Sequence, residues 1–379
     1  MIKKFRLYIL PGLSWFICFL FLSFFILSCQ KSVREVVIPP VNPPPPDSAT
    51  YNHGVFVINE GNFNSGNASI TFVSESDPGL VVQDLFHQVN KRSLGDVAQE
   101  MEIFNGMGFI VVNNSNSVEV VSLTTFKSVA SITSGFNSPR NIEIIDSTKA
   151  YVTNMLSDIS IVNLKTFTVT GSIKNPNWTE GMIRFKNLVF VSSIGGYNEP
   201  NNKRSAKVLI VDTRSDKIVD SIQTGKEPLG IVIDRKNKVW ILCTGGYDYF
   251  EPPSLLMIDP DLKVVEKTFH FSSMTQIPSR LSINGSGDTL YFLYNGVYRM
   301  SVSSAALPDQ PFIPNGNHVF YGLAVHPSTG NIFVSDAIDF VQNGVVYKIN
   351  QANGQILSQF QTGRIPGSFC FTDLPPGTR

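Results

Sequence analysis

One short strand is written seven times along this chain, and that repetition restricts the folds open to it more than any other feature. An apolar run, closing in most copies on Asn, Ser, Cys or Asp, reads Phe56-Val57-Ile58-Asn59, Ile110-Val111-Val112-Asn113, Tyr151-Val152-Thr153-Asn154 and Phe190-Val191-Ser192-Ser193. It continues as Trp240-Ile241-Leu242-Cys243, Tyr291-Phe292-Leu293-Tyr294 and Phe333-Val334-Ser335-Asp336. Successive copies start 54, 41, 39, 50, 51 and 42 residues apart, near the roughly 40–50 residues of one propeller blade. Between them lie β-branched and aromatic segments broken by Gly, Asn, Asp and Pro, and no long stretch keeps a helical period, so the chain is all-β. A second element, a turn often containing proline followed by a short apolar strand, precedes most copies, as at Pro139–Ile144, Pro228–Ile233 and Pro278–Ile283. Its last copy, Pro366–Phe371, has no partner after it, and the strand at 55–59 has none before it. A ring accounts for both orphans. The expectation is a seven-bladed β-propeller of four-stranded antiparallel blades, closed by pairing of the N- and C-terminal strands, because an open array would leave unpaired backbone at each edge.

The propeller is expected over residues 51–379. Ahead of it, Lys3, Lys4 and Arg6 precede an almost wholly apolar run from Ile9 to Leu27, which closes on Ser28-Cys29-Gln30. Residues 1–28 therefore read as a secretory signal peptide. At 19 residues the apolar run is also long enough to span a bilayer, but small Ser28 and polar Gln30 favour cleavage. Residues 29–50 hold Pro39-Pro40 and Pro43 to Pro46. Such runs adopt an extended, semi-rigid form of about 3.1 Å per residue, which makes this stretch a tether. Lysine plus arginine equals aspartate plus glutamate, 30 against 30. Phosphate binding needs a concentrated basic surface, so nucleic acid is not an expected partner. Four cysteines and five histidines are scattered without the spacing of a disulfide framework or a zinc site.

Two further stretches, Val57-Ile58-Asn59-Glu60-Gly61-Asn62-Phe63-Asn64-Ser65-Gly66-Asn67 and Asp336 to Tyr347, join the tetrapeptide Tyr151-Val152-Thr153-Asn154 in a specific likeness. The chain resembles the YVTN-repeat, YncE-like propeller lipoproteins of Bacteroidetes. The N-terminal segment is similar to a bacterial lipobox, which implies that Cys29 becomes the diacylated N-terminus of an outer-membrane, cell-surface protein. Some members of that branch capture cobalamin for a TonB-dependent outer-membrane transporter, so the resemblance implies a corrinoid or other metal-chelate nutrient as ligand and such a transporter as partner.

Alignment of the inner strands places two rows of side chains toward the central channel, provided that the strands alternate with period two and keep register. One row holds Glu102 and Glu143, the other Glu100, Asn141 and Arg280. Three carboxylates and an amide are hard oxygen ligands of the kind calcium takes. Glu100, Glu102, Asn141 and Glu143 thus form a candidate metal site, with metal-dependent lactone hydrolysis as the enzymatic alternative. The bland alternative is that these glutamates meet channel water or pair with Arg280 and Arg140. Binding residues are expected in the loops of one face, the top, where Phe63, Trp178, Tyr197, Asn198, Tyr247, Asp248, Tyr249, Phe250, Tyr321 and Phe340 join Arg280. Rigid aromatic rings there would offer contact area to a planar or sugar-like ligand or to a protein, for which the chain would act as a scaffold.

Overall fold

The structure is a computed structural model that describes residues 51–77, 79–196, 200 and 206–372. The expected signal peptide, Cys29, the expected tether, Tyr197 and Asn198 lie outside the described residues. Its strands, β1 to β28 in chain order, form seven sheets of four antiparallel strands each. Blade 1 combines β28 (Pro366–Phe371) with β1 (Gly54–Asn59), β2 (Ser69–Ser74) and β3 (Val81–Val82). The other six blades follow in order, and their inner strands are β4 (Ala98–Phe104), β8 (Pro139–Ile144), β12 (Trp178–Phe185), β16 (Pro228–Ile233), β20 (Ser279–Ile283) and β24 (Phe320–Val325). Each inner strand touches the next, and β24 touches β28, which touches β4, so the ring is closed. The register of the closing pair runs from Val55 opposite Phe371 to Ile58 opposite Ser368.

The second strand of every blade carries an apolar run because both its faces are covered. Phe56 and Ile58 pack into blade 2 against Met101 and Ile110, whereas Val55 and Val57 pack into blade 7 against Phe333 and Val346. The same split recurs around the ring and gives seven separate cores, each lying between two neighbouring blades. A strand buried on both faces reads as a continuous hydrophobic run rather than an alternation, which is why this element, among all four, announced itself in the sequence. Cys243 and Cys370 are free and buried in these cores, and burial pushes the Cys243 thiol up to about 12; both pack as small apolar groups.

All seven inner strands shift register near the end where they begin, each with one more residue than its partner strand. A β-bulge of this kind leaves a backbone group without its ladder partner, and the recurring tetrapeptide supplies the replacement. Thr153 Oγ1 accepts the Asn141 N–H at 3.0 Å, and Ser335 Oγ accepts the Gly322 N–H at 2.7 Å. The final residue of the tetrapeptide pins the loop that leads into the inner strand. Asn154 Oδ1 accepts the Asn137 N–H at 2.9 Å, and Asp336 Oδ1 accepts the Val319 N–H at 2.9 Å. Thr153→Val keeps the shape but orphans the Asn141 N–H, and is expected to destabilise the fold by about 1–3 kcal/mol. Thr153→Ser should restore most of that in urea unfolding; equal stability of all three proteins would remove the account.

Candidate functional site

The inner strands start on one face of the ring, and the loops after β1, after β5 (Met107–Val112) and after β9 (Lys149–Asn154) rise around the same opening. Together they enclose a cavity of about 850 Å³, within the roughly 300–1,000 Å³ usual for ligand sites. Neighbouring inner strands approach closely near the axis, and glycines permit it. A Cβ on Gly230 would sit 2.6 Å from Leu281 Cβ, and one on Gly322 would sit 2.8 Å from the Pro366 carbonyl oxygen. Adjacent strands touch at both positions, and Gly230 also lines the cavity.

The bulges decide which side chains reach the cavity. One extra residue per strand breaks strict alternation, so Arg140 and Asn141 both line it from β8, and Glu180 lines it from β12 beside Gly181. Two ion pairs dominate. Arg140 Nε donates to Glu180 Oε1 and Oε2 at 2.9 and 3.0 Å, and Trp178 Nε1 donates to Glu180 Oε1 at 2.5 Å. From the far side, an Arg280 guanidinium nitrogen donates to Glu60 Oε1 at 3.2 Å, and the Tyr321 hydroxyl donates to both Glu60 oxygens at 3.0 Å. Burial pushes the Tyr321 hydroxyl up to about 12, so it stays a donor at physiological pH. Burial works against the charge of Arg280, but neighbouring Tyr321 and Glu60 outweigh it and hold the guanidinium above its ordinary value. Its Nε donates to the Tyr321 carbonyl at 3.0 Å, and its plane lies 4.7 Å from the Tyr321 ring centre. Arg280 also holds a left-handed backbone with φ 56°, a conformation that costs about 1–3 kcal/mol for a residue with a side chain and collects at functional sites.

Four of the residues expected to bind ligand therefore converge: Phe63, Arg280, Tyr321 and Phe340 all line the cavity, and Tyr321 meets Phe340 edge-on with ring centres 5.5 Å apart. Trp178 stands behind them through Glu180. The loop after β17 (Val239–Cys243) stands apart. A bridge between Gly246 and Glu251 folds it on itself; Asp248, Tyr249 and Phe250 are not among the cavity-lining residues, and the Tyr247 side chain lies outside what the structure describes. Tyr249 is buried, whereas Phe250 is 70% exposed. The expected metal cluster does not assemble. Glu100 takes the Asn141 amide and the Ile142 N–H, the latter at 3.2 Å, while Glu102 and Glu143 lie further down their strands and do not line the cavity. Among the described residues no group of three or more His, Cys, Asp or Glu is placed to hold a metal ion. In β4 the bulge precedes Glu100, so Glu100 and Glu102 keep period-two register with Glu102 the deeper, whereas in β8 Asn141 sits inside the bulge. Glu180 was missed because it occupies the bulge of β12, and Glu60 because it lies in the loop after β1, outside the aligned inner strands, although it sits inside the Val57–Asn67 stretch that singled itself out in the sequence.

Comparison with known proteins agrees with this architecture. A family model described as a domain of unknown function, DUF5074, matches residues 53–366, a span that stops where the closing strand begins. No curated protein sequence matches the chain. Among solved structures, a quinonprotein alcohol dehydrogenase-like protein from Bacteroides thetaiotaomicron VPI-5482 is similar at a TM-score of 0.67 and 15% identity, over 86% of this chain and 79% of that one. Hydrazine synthase from Kuenenia stuttgartiensis is similar at 0.53 and 14% identity, over 69% and 85%. The computationally designed Ika8 protein is similar at 0.55 and 10%, over 84% and 91%. At such identities the likeness is one of fold.

Proposed function

This chain belongs to the DUF5074 family, and we propose that it is a non-catalytic surface lipoprotein whose top-face cavity captures a small ligand. The observation that carries this reading is the convergence of Phe63, Arg280, Tyr321 and Phe340, from four separate stretches of sequence, on one cavity of about 850 Å³. Every charged group there with a resolved partner is held rigidly, and the strained backbone of Arg280 is kept by two hydrogen bonds. Rigid, pre-organised polar groups set among apolar walls are what selective binding requires.

The chain enters the ring on the opposite face, where the Tyr51 N–H donates to the Leu123 carbonyl at 3.1 Å. The resemblance to YncE-like lipoproteins of Bacteroidetes makes a corrinoid or other metal-chelate nutrient the concrete candidate and a TonB-dependent outer-membrane transporter the partner. Calorimetric titration with cyanocobalamin, with and without calcium, tests it. The expected result is saturable binding that weakens at least about tenfold in Arg280→Ala and does not depend on calcium. No heat at high micromolar ligand removes the corrinoid.

A further inference from the structure

We infer that the ring carries a second binding site, on the seam between blades 1 and 7, for a small zwitterion of the amino-acid class, with an ammonium at one end and a carboxylate at the other. The inference is independent of the top-face cavity, because the two recesses share no lining residue.

The site is a cavity of about 360 Å³, toward the lower end of the range usual for ligand sites. One wall belongs to blade 1 and is made by the start of β2 and by a six-residue helix, α1 (Leu85–Asn90), with its flanks. The other wall belongs to blade 7, where Asn343 opens β26 (Asn343–Ile349) and Arg364 ends β27 (Ile356–Arg364). Two opposite charges line this cavity, one on each wall, and each has capacity to spare. Arg364 is oriented by its Nε, which donates to the Val341 carbonyl at 2.8 Å, and its two terminal nitrogens have no partner among the described residues. The Asp84 carbonyl accepts the Gln88 N–H at 3.0 Å, which fixes the turn into α1. The Asp84 carboxylate makes no side-chain cap hydrogen bond with that helix. The groups that act on it are the neighbouring His87 and the His87 N–H, and Arg364 is not one of them. The two charges therefore share a recess without meeting.

A ligand with one charge satisfies one wall and leaves the other unmet; a zwitterion satisfies both. The Arg364 fork matches the two oxygens of a carboxylate, and an ammonium gives Asp84 charge-assisted donors. Side-chain amides complete the lining. Gln83 Nε2 crosses the seam to the Gln361 carbonyl at 3.2 Å, and its Oε1 has no partner among the described residues, nor has the Asn343 amide. The only apolar side chains on the walls are Ala68 and Leu94, so the ligand's own side chain is polar, an amide or hydroxyl rather than a hydrocarbon. Such a molecule joins the first blade to the last, where the ring is closed.

Calorimetric titration of L-glutamine onto the full-length chain in mild detergent tests the site. Glutaramate, which lacks the α-ammonium, and L-glutaminamide, which lacks the carboxylate, serve as matched probes. L-glutamine is expected to bind saturably and each analogue to bind about tenfold or more weakly, with the spread shrinking as salt rises. Asp84→Asn should weaken L-glutamine and L-glutaminamide and leave glutaramate unchanged. Arg364→Gln should weaken L-glutamine and glutaramate and leave L-glutaminamide unchanged. Both side chains are exposed, so neither change takes packing from a core. L-glutamine should also raise the melting midpoint, since it binds the closed ring and not the unfolded chain. Absence of saturable L-glutamine binding, or analogues that bind as tightly as L-glutamine, would overturn the inference. Binding that vanishes in Arg280→Ala would place the amino acid in the top-face cavity and overturn it as well.

Discussion

A chain ended at Ile365 is expected not to fold, even though only the last strand and its tail are missing. β28 supplies the innermost strand of blade 1, pairing with β1 from residue 55 to residue 59. Its Cys370 and Phe371 are buried, and Phe369 packs against the same core as Phe333 and Val57. Each large side chain lost from such a core costs about 1.5–3 kcal/mol. The inner edge of β1 would also face the channel with its backbone groups unpaired, and blades 7 and 2 would lose the inner strand that each touches. The sum approaches or exceeds the roughly 5–15 kcal/mol that holds a typical domain together. Far-UV circular dichroism with urea unfolding checks this. A truncated chain that keeps a single cooperative transition at the full-length midpoint would show that the ring does not need its clasp.

The second large effect is expected at Glu75, which locks the same seam from the opposite face. Glu75 follows β2 in blade 1, and its carboxylate accepts from His326 Nε2 at 2.7 Å and from Lys348 Nζ at 2.7 Å, both in blade 7. His326 Nδ1 accepts the Ser328 and Thr329 N–H groups at 3.1 and 3.2 Å, which puts the ring proton on Nε2, facing Glu75. The His326 side chain is 1% exposed and Glu75 only 15%. Removing one member of a buried pair leaves the other unpartnered, at about 3–5 kcal/mol, so Glu75→Ala should lower the unfolding free energy by that order. The hydrogen bond from His326 and then that from Lys348 outweigh burial and hold the Glu75 carboxyl at about 2, below its ordinary 4.5. A carboxyl depressed in the folded state contributes fully above its unfolded value and loses that contribution as pH falls through its folded value. That contribution should therefore fade as pH falls from about 4.5 to about 2. Glu75→Gln should flatten that part of the stability–pH curve. An unchanged curve would mean that the seam does not depend on the ion pair.

The candidate site was only half legible. Phe63, Arg280, Tyr321 and Phe340 could be placed from the sequence because each sits at a fixed offset from a recurring strand, and the offset survives small errors of register. Glu60 and Glu180 could not: Glu60 lies in the loop after β1, outside the aligned strands, and Glu180 sits in a bulge that no residue type marks; Arg140, Glu180 and Leu229 occupy bulge positions with nothing in common chemically. The loop carrying Asp248, Tyr249 and Phe250 has the composition of a binding loop, and a bridge from Gly246 to Glu251 closes it on itself, a contact that composition does not reveal.

What the sequence by itself determined was the repeat, the number of blades and the closure of the ring. Strands buried on both faces must be apolar throughout, turns between them must break that pattern, and an unpaired strand at each end of a repeat array demands its complement. Those requirements are local and leave their mark residue by residue. Tertiary structure alone decided which side chains share the cavity and with which partners. Glu60 meets Arg280 across 220 positions of sequence, and Arg140 meets Glu180 across 40, because a one-residue bulge in each inner strand turns the backbone where the ring is narrowest. The bulge is set by how closely seven strands can approach one axis, a constraint of the assembled ring that no single segment of the chain carries.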